Sequence, residues 1–283
     1  MTSAHGPVTL PRTVMIGVGS MGGAILQGLR NPEVEIPRPI TVTTSSASSA
    51  SAFDSADDVV ALSGEVDPDA NRVAVRGAEL VILAVKPWML ADVAREISGD
   101  LAPGTIVVSV AAGVPSEPIE AVLPGAQVVR AMPNTPSHIG RGVTGVAGGS
   151  TASDGAVETV RNLFETVGDV VVVREDQIDA VTAVSGSGPA YLFLYVEEMT
   201  AAALRMGFTD EQARVLVTGT VAGAAELLAR SGESAEQLRK NVTSPKGTTE
   251  QAVLVLQEAQ WGELFDRALA ANVRRSQELS ADD

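Results

Sequence analysis

The sequence predicts an α/β domain with a doubly wound, mostly parallel sheet, followed by an all-α domain. In the first half of the chain, short β-rich runs alternate with helix-length segments. Runs such as LVILAV (80–85) are apolar at successive positions, as expected of strands buried on both faces of a parallel sheet. After about residue 174 this pattern ends, and apolar residues recur at helical spacing instead.

The alternating pattern defines the elements of the first domain. The predicted strands are 13–18, 39–44, 79–85, 105–110, 126–131, 142–147 and 169–173, with helices at 22–30, 87–98 and 154–167. The Ser-rich stretch 43–52 lies inside the alternation, so we predict a loop and a helix start there rather than a flexible linker. We therefore assign residues 11–174 to the sheet domain and residues 175–283 to the helical domain.

The helical domain contains a segment without charge between Val215 and Ala225. A helix that is apolar on every side should be buried on every side, which a helical domain of this size can hardly achieve alone. We predict a dimer through this half; the alternative is that the sheet domain of the same chain covers the helix. Thr209 with Gln212, and Ser234 with Gln237, have the spacing of capping boxes.

Composition excludes several classes of function. The 283 residues include 20 basic and 35 acidic side chains, a formal charge of −15 that disfavours nucleic-acid binding. Cysteine is absent and there are two histidines, so we predict no disulfide, no cysteine nucleophile and no metal site. We find no signal peptide, and the longest uncharged stretches, 101–116 and 180–196, are too short and too rich in Gly, Pro and Ser to span a membrane. These features predict a cytoplasmic protein.

A glycine motif follows the first long strand. Gly17, Gly19 and Gly22 in VMIGVGSMGG have the G-x-G-x-x-G spacing between a strand and a helix. The first glycine permits the tight turn, the second lets backbone approach a pyrophosphate, and the third lets the helix pack closely on the strand. The helix then offers its free amides to the phosphates, so the motif predicts a dinucleotide-binding Rossmann domain.

The end of the second strand bears on which dinucleotide binds. An NAD site would have Asp or Glu there to hold the ribose diol. The chain instead has Thr43, Thr44, Ser45 and Ser46, and no carboxylate follows before Asp54. Hydroxyls can donate to a 2′-phosphate, so we predict NADPH as the preferred cofactor, with NADH as the alternative. These hydroxyls could instead be ordinary polar loop residues.

The chain lacks an evident acid–base residue for alcohol chemistry. His5 lies near the start of the chain and His138 in a Pro-flanked segment, and we interpret both as solvent-facing. An imine substrate needs less acid–base help than an alcohol or ketone, because its protonated form is already a strong electrophile.

Five further segments carry a family resemblance. They are AVKP (84–87), VVSVAAG (107–113), RAMPNTP (130–136), DAVTAVSGSGPAY (179–191) and VTSPKGTT (242–249). Together they resemble pyrroline-5-carboxylate reductases, in register over nearly the whole chain after residue 12. The resemblance implies a Rossmann domain with a helical dimerisation domain, reduction of 1-pyrroline-5-carboxylate to L-proline with NAD(P)H as the last step of proline biosynthesis, and homodimers that often assemble as a decamer.

The resemblance also implies roles for individual residues around the cofactor. Gly17, Gly19, Ser20, Met21 and Gly22 would hold the pyrophosphate, and Thr44, Ser45 and Ser46 the 2′ position of the adenosine ribose. Asn71 would contact the adenosine part, while Ala84, Val85, Lys86, Pro87, Ala111 and Ala112 would line the path to the nicotinamide. Met132, Pro133 and Asn134 would lie near the nicotinamide, Asn241 near the cofactor, and residues 185–189 would break a helix beside the active site.

The substrate would be held by a loop in the helical domain. Ser244, Gly247, Thr248 and Thr249 match the family's substrate loop, and Thr249 would be the catalytic residue that hydrogen-bonds the ring nitrogen. From the residues alone, we predict a helix start capped by Thr248 with Gln251, whose free amides suit a carboxylate. Without the resemblance, an ordinary helix–loop–helix joint would be the simpler interpretation.

One residue departs from the family pattern. Lys246 stands where the family usually has Gly. If this position has a positive φ, the lysine adds local strain of about 1 kcal/mol.

Two rival interpretations are weighed against this one. β-Hydroxyacid dehydrogenases share the glycine turn and a helical second domain, but they use a catalytic Lys on the long helix after the sheet, and SGSGPAYLFLYVEEM contains none. A catalytically silent NADPH-binding regulator is the second rival; the intact SGSGPA and GTT motifs argue against it.

Overall fold

The computed structural model describes residues 8–281, and side chains up to residue 279. Contacts divide the chain into two compact units. The first unit contains the described residues up to Ser187 together with those from Asn272 onward, and the second contains Gly188–Ala271. The predicted boundary at residues 174 and 175 follows the last strand, and it stays a prediction about domain organisation.

The first unit is built on a mostly parallel sheet. Its strands, with those of a small separate pair, are β1 (Val8–Thr9), β2 (Thr13–Ile16), β3 (Val34–Glu35), β4 (Ile40–Thr44), β5 (Val59–Ser63), β6 (Leu80–Leu83), β7 (Ile106–Ser109), β8 (Gln127–Met132), β9 (Gly142–Gly148) and β10 (Gly168–Val172). Within the described residues, the main sheet has the order β10-β9-β8-β7-β6-β2-β4-β5, and β1 pairs with β3. All neighbours in the main sheet are parallel except β8 and β9.

Helices connect the strands and form the second unit. They are α1 (Ser20–Leu29), α2 (Ala47–Ser51), α3 (Ala70–Val75), α4 (Leu90–Ile97), α5 (Ser116–Val122), α6 (Asp154–Glu165), α7 (Ile178–Val181), α8 (Gly188–Arg205), α9 (Asp210–Ser231), α10 (Ala235–Asn241), α11 (Thr248–Glu258) and α12 (Trp261–Ala281). A π-helix at Thr182–Gly186 joins α7 to α8. The predicted combination of a Rossmann-type domain and a helical region is confirmed.

Each predicted strand is present, but three short strands were missed: β1 and β3, which pair with each other, and β5 in the main sheet. β5 (Val59–Ser63) lies at the sheet edge beside β4, and only its two end residues are buried. A short edge strand with a half-exposed middle shows neither the continuous apolar run of a central strand nor a clear alternation. The predicted helix start in the Ser-rich stretch is present, because Ser46 caps α2 by accepting a hydrogen bond from the Ser49 amide at 3.2 Å.

The sheet is covered on both faces, as the apolar strand runs predict. Met15 of β2 belongs to one hydrophobic cluster, while its neighbours Val14 and Ile16 belong to another. Successive side chains of a strand point to opposite faces, so these two clusters are the two layers of a doubly wound sheet. Phe164 of α6 anchors the first cluster and Leu90 of α4 the second, and both side chains are fully buried.

The second unit buries few of its apolar side chains within the single chain. Thr209 and Gln212 form the predicted capping box of α9. Of the residues of α9, Ala213 and Val217 are buried, whereas Leu216 and Leu227 are 48% and 54% exposed. Exposure continues along α8 and α11 at Leu192, Phe193, Leu194, Met199, Leu254 and Val255. Such an extended exposed apolar surface marks an interaction site.

Gly28 allows α1 to pack closely on the end of α6. A Cβ built on Gly28 would lie 2.4 Å from Cγ1 of Val167 and 2.6 Å from Oγ1 of Thr166, whereas one on Gly23 would meet nothing within 4 Å. We expect Gly28→Ala to lower the free energy of unfolding by about 1–3 kcal/mol through overpacking. Gly23→Ala in the same helix should raise it by about 0.5–1 kcal/mol, because alanine has the higher helix propensity. Urea denaturation of both variants measures the two values, and equal effects would contradict the packing argument.

Candidate active site

The turn between β2 and α1 has the geometry that the glycine motif requires. Gly17 has a φ of +91°, and a Cβ there would lie 2.7 Å from the carbonyl oxygen of Ala84. A Cβ on Gly22 would lie 2.4 Å from the carbonyl oxygen of Gly17, while a Cβ on Gly19 would meet nothing within 4 Å. The first and third glycines are therefore required by packing, and the second leaves room beside the backbone for a ligand.

The N-terminus of α1 faces this space without a side-chain cap. Its N-cap is Gly19, so the amides of the first turn remain available to an anion. Ser20, the first residue of the helix, places its hydroxyl oxygen 3.1 Å from Nε2 of His138. His138 is exposed, as expected, but it also contacts the first residue after the glycine turn, which its sequence position did not indicate.

A cleft of about 500 Å³ opens above this turn at the carboxyl ends of the parallel strands. Among the predicted cofactor residues, those lining it are Gly17, Gly19, Ser20, Met21, Thr44, Ser45, Asn71, Ala84, Val85 and Lys86. The remaining lining is mostly apolar and includes Ile16, Met89, Val93 and Val110. The cleft lies where β2 and β6 connect to opposite sides of the sheet, which is where ligands bind in doubly wound folds.

The hydroxyls at the end of the cleft predicted to hold the adenosine ribose have different hydrogen-bond partners. Thr44 donates to the carbonyl oxygen of Ser46 at 2.9 Å, and the hydroxyl of Ser46 caps α2. Ser45 lines the cleft. Asn71 is held from two sides, because its Oδ1 accepts from Thr43 at 2.7 Å and its Nδ2 donates to Glu96 at 2.9 Å.

Glu65 places a carboxylate at the start of α2, which its position in the sequence did not indicate. Oε2 of Glu65 accepts a hydrogen bond from the backbone amide of Ala47 at 2.8 Å, directly after Ser45 and Ser46. Glu65 follows β5, a strand that was not predicted. No carboxylate directly follows the second strand in the sequence, but the segment after the neighbouring strand supplies one.

Further predicted cofactor residues follow β7 and β8 at the same edge of the sheet. Ala111 and Ala112 lie just beyond β7, while Met132 ends β8 and Pro133 and Asn134 follow it. Gly22, Ser46, Pro87 and these five residues are not among those that line the 500 Å³ cleft.

Asn134 is buried and uses its amide to fix the surrounding backbone. Its Nδ2 donates to the carbonyl oxygen of Ser185 at 3.0 Å, and its Oδ1 accepts from the amide of Val143 at 2.9 Å. A Cβ on Gly186 would lie 2.7 Å from Cε of Met132. Asn134 and Met132 thus position the π-helix, which is where the predicted break beside residues 185–189 occurs.

A buried charge cluster supports the same region. Arg130 of β8 is 6% exposed, and its Nη1 lies 3.4 Å from Oε1 of Glu175. Burial lowers the pKa of the Arg130 guanidinium, while the negative charges of Glu175 and Asp179 act in the opposite direction. Glu175 also accepts hydrogen bonds from the amide and the hydroxyl of Ser116, both at 2.7 Å. The cluster ties β8 to α5 and to the segment that leads into α7.

The predicted substrate residues share one turn of the second unit. α11 begins at Thr248, so Thr248 and Thr249 are its first two residues, and Ser244 accepts a hydrogen bond from the Gly247 amide at 3.0 Å through its carbonyl oxygen. The prediction that Thr248 caps this helix is wrong. The N-cap is Gly247, which has no side chain, because a Cβ there would lie 2.4 Å from Oγ of Ser244. Neither threonine hydroxyl therefore caps the helix.

Lys246 has the positive φ on which the strain argument depends. Its φ is 60°, a left-handed conformation that glycine adopts at lower cost than lysine. Its backbone amide donates to Oε2 of Glu250 at 2.7 Å. This hydrogen bond holds the turn closed against the strain.

Two other predictions about polar residues of the second unit concern Asn241 and the capping box of Ser234 with Gln237. Asn241 ends α10, where its Oδ1 accepts from Gln237 at 2.7 Å and its Nδ2 donates to Glu233 at 2.9 Å. Ser234 caps α10, but the Gln237 side chain bonds Asn241 rather than returning to the cap, so the second predicted capping box is incomplete.

Neither a metal cluster nor a membrane helix is found in the part of the chain that the structure describes. Among residues 8–281, no three His, Asp or Glu side chains are grouped to hold a metal ion. No helix in the same range is both long and apolar enough to cross a bilayer. His5 lies outside the described residues.

Comparison with known proteins gives matches over both halves of the chain. A family model described as pyrroline-5-carboxylate reductase dimerisation matches residues 175–279, and one described as NADP oxidoreductase, coenzyme F420-dependent, matches residues 12–113. The pyrroline-5-carboxylate reductase of Pseudomonas aeruginosa is 37% identical over 96% of this chain and 98% of its own length.

Solved structures agree with these matches. A pyrroline-5-carboxylate reductase from Coxiella burnetii has a TM-score of 0.86 and 39% identity, covering 95% of this chain and 98% of its own. The pyrroline carboxylate reductase of Plasmodium falciparum with NADP bound has a TM-score of 0.80 over 95% of this chain and 98% of its own. At 24% identity, this second likeness concerns the fold alone.

The fold and the cleft define a nicotinamide-dependent oxidoreductase of the Rossmann type with a dimerising helical domain. The chain belongs to the pyrroline-5-carboxylate reductase family, given its full-length relatives. The family membership inferred from the motifs is confirmed, as is self-association through the helical half.

Lys246→Gly tests the strain in the substrate turn. We expect this variant to raise the free energy of unfolding by about 1 kcal/mol, since glycine tolerates a φ of 60° without the steric cost of a Cβ. Gln260, which has a φ of 54° in the link between α11 and α12, offers a control: Gln260→Gly should give a similar gain. Urea denaturation measures both, and a loss of stability in Lys246→Gly alone would show that the lysine side chain stabilises the turn.

Proposed function

We propose that this protein reduces 1-pyrroline-5-carboxylate to L-proline, the last step of proline biosynthesis, with a nicotinamide cofactor as hydride donor. The observation that carries the proposal is family membership over the full chain length. The glycine turn and the 500 Å³ cleft provide the features that a dinucleotide requires.

The cofactor is NADPH by preference, with NADH accepted as an alternative. The open space beside Gly19 and the uncapped amides of α1 suit the pyrophosphate. Ser45 suits the 2′-phosphate, because its hydroxyl can donate to an anion, whereas the Thr44 hydroxyl already donates to the Ser46 carbonyl oxygen. Lys86, which also lines the cleft, adds a positive charge on a protein whose net charge is −15.

The reaction transfers a hydride to the carbon of the protonated C=N bond, whose electron pair then becomes the lone pair of the proline nitrogen. The nicotinamide supplies that hydride when it is bound. Ala111, Ala112, Met132 and Pro133 line the nicotinamide end in this proposal. Asn134 acts indirectly, because both polar groups of its amide hold the backbone.

The substrate is held by the turn before α11. The amides at the start of this helix and Ser244 bind the carboxylate, since a helix N-terminus favours an anion. Thr249 hydrogen-bonds the ring nitrogen and fixes the orientation of the C=N bond. Orientation of this kind contributes to rate without an acid or base of matched pKa.

The protein acts in the cytoplasm as a homodimer formed through the helical unit, and five dimers assemble into a decamer. Support for the dimer comes from the exposed apolar side chains of α8, α9 and α11 and from the match to a dimerisation family. A second copy would remove these side chains from water, at about 25 cal/mol for each Å² of apolar surface.

The activity is tested with purified protein, NADPH and 1-pyrroline-5-carboxylate, followed at the nicotinamide absorbance. We expect turnover that a chelator leaves unchanged, because the described residues contain no metal-binding group. A hydroxy acid with NADP⁺ serves as the control substrate. Turnover of the hydroxy acid and silence toward the imine would overturn the proposed reaction.

Thr249→Val tests the role of the hydroxyl in the substrate turn. The change keeps the shape of the side chain, so we expect kcat/KM for the imine to fall by roughly 10- to 100-fold while cofactor affinity stays the same. The control is Thr159→Val on α6, which removes a threonine hydroxyl that donates to the Gly155 carbonyl oxygen. Steady-state kinetics with each variant measure the effect, and a wild-type rate in Thr249→Val would place the ring nitrogen elsewhere.

A further inference from the structure

Glu65 follows Gly64, which lines the cleft, and its carboxylate bonds the segment after Ser45 without itself lining the cleft. β4 and β5 are parallel neighbours with Thr44 opposite Ser63, so the segments that follow them leave the sheet side by side. The backbone amide of Glu65 donates to Oγ of Ser63 at 3.2 Å, and its Oε2 accepts from the amide of Ala47 at 2.8 Å. Hydrogen bonds therefore fix both the backbone amide and the side chain of Glu65.

This carboxylate bonds the segment that, in the proposed function, holds the 2′ position of the ribose. Ser45, Ser49 and Gly64 line this part of the cleft, and Ala47 follows Ser45 and Ser46 directly. The Ala47 amide donates to an anion that belongs to the chain itself. A 2′-phosphate entering here would meet a negative charge where it would otherwise find a donor.

Few positive charges are available to offset Glu65. The sequence has no Lys or Arg between Arg38 and Arg72. Arg38 lies 3.3 Å from Asp58, and Arg72 pairs with Asp69 and Asp100. Recognition of a 2′-phosphate ordinarily uses a nearby Arg, whereas a carboxylate ordinarily accepts the ribose hydroxyls of NAD.

We propose that Glu65 is a specificity-determining residue that lowers the preference for NADPH over NADH. Its carboxylate repels the 2′-phosphate of NADPH and competes with it for the Ala47 amide. With NADH, the same carboxylate accepts a hydrogen bond from the ribose 2′-hydroxyl. This inference rests on the proposed function, because it assumes that the adenosine ribose occupies this end of the cleft.

Glu65→Gln is the sharpest variant, because the amide oxygen still accepts from Ala47 while the charge is gone. Adenosine 2′,5′-bisphosphate and 5′-AMP serve as probes that carry the adenosine end with and without the 2′-phosphate, and isothermal titration calorimetry gives each Kd. We expect the bisphosphate to bind about tenfold more tightly to Glu65→Gln, with 5′-AMP binding unchanged or weakened a few-fold. The gain should shrink as ionic strength rises.

Asp54→Asn is the matched control. It removes the same charge from an exposed side chain beyond the other end of α2, after Ala52. It should leave both Kd values close to wild type. Thermal unfolding of both variants shows whether the fold is intact.

Turnover of 1-pyrroline-5-carboxylate completes the test. The ratio of kcat/KM for NADPH to that for NADH should rise about tenfold in Glu65→Gln. A ratio equal to wild type, or an equal rise in Asp54→Asn, overturns the role of Glu65 while the proposed function stands. If the wild-type protein neither binds the probes nor turns over the imine with either cofactor, the proposed function fails and this inference fails with it.

Discussion

The close approach of backbone to backbone at the β2–α1 turn is the constraint on which the site depends. Gly17 lies against the end of β6, and Gly22 lies against Gly17, at distances that no Cβ allows. Because α1 starts so close to the sheet, its free amides open directly into the cleft between β2 and β6. A side chain at either position would move the helix and close the space that Gly19 leaves open.

The two units differ in how far they bury their apolar side chains. The sheet unit has its own core, since helices on both faces bury the central strands, while the edge strands β5 and β10 stay partly exposed. The helical unit leaves large apolar side chains exposed on α8, α9 and α11, in the region that matches a dimerisation family. In the proposed function, cofactor binding and assembly therefore belong to different parts of the chain, and the turn proposed to bind the substrate belongs to the part that associates.

The polar groups around the cleft divide into those that bind and those that support. The hydroxyl of Ser46 and the amide of Asn134 are used within the protein, although both residue types could have contacted a ligand. Arg130 and Glu175 likewise fix the end of β8 rather than face the cleft. Ser45 and Lys86 line the cleft directly. Supporting groups of this kind hold the binding residues in place without contributing donors of their own.

The sequence by itself determined the fold class, the dinucleotide turn and the family, because each depends on local patterns: apolar strand runs, glycine spacing and contiguous motifs. It did not determine β5, because a half-exposed edge strand has no distinctive pattern. The position of Glu65, which follows β5, was therefore not predicted either. It also misassigned the cap of α11, which is set by the contact between Gly247 and Ser244. Only the tertiary structure decided these features, because the charge at the Ala47 amide comes from the segment after a neighbouring strand and not from a sequence neighbour.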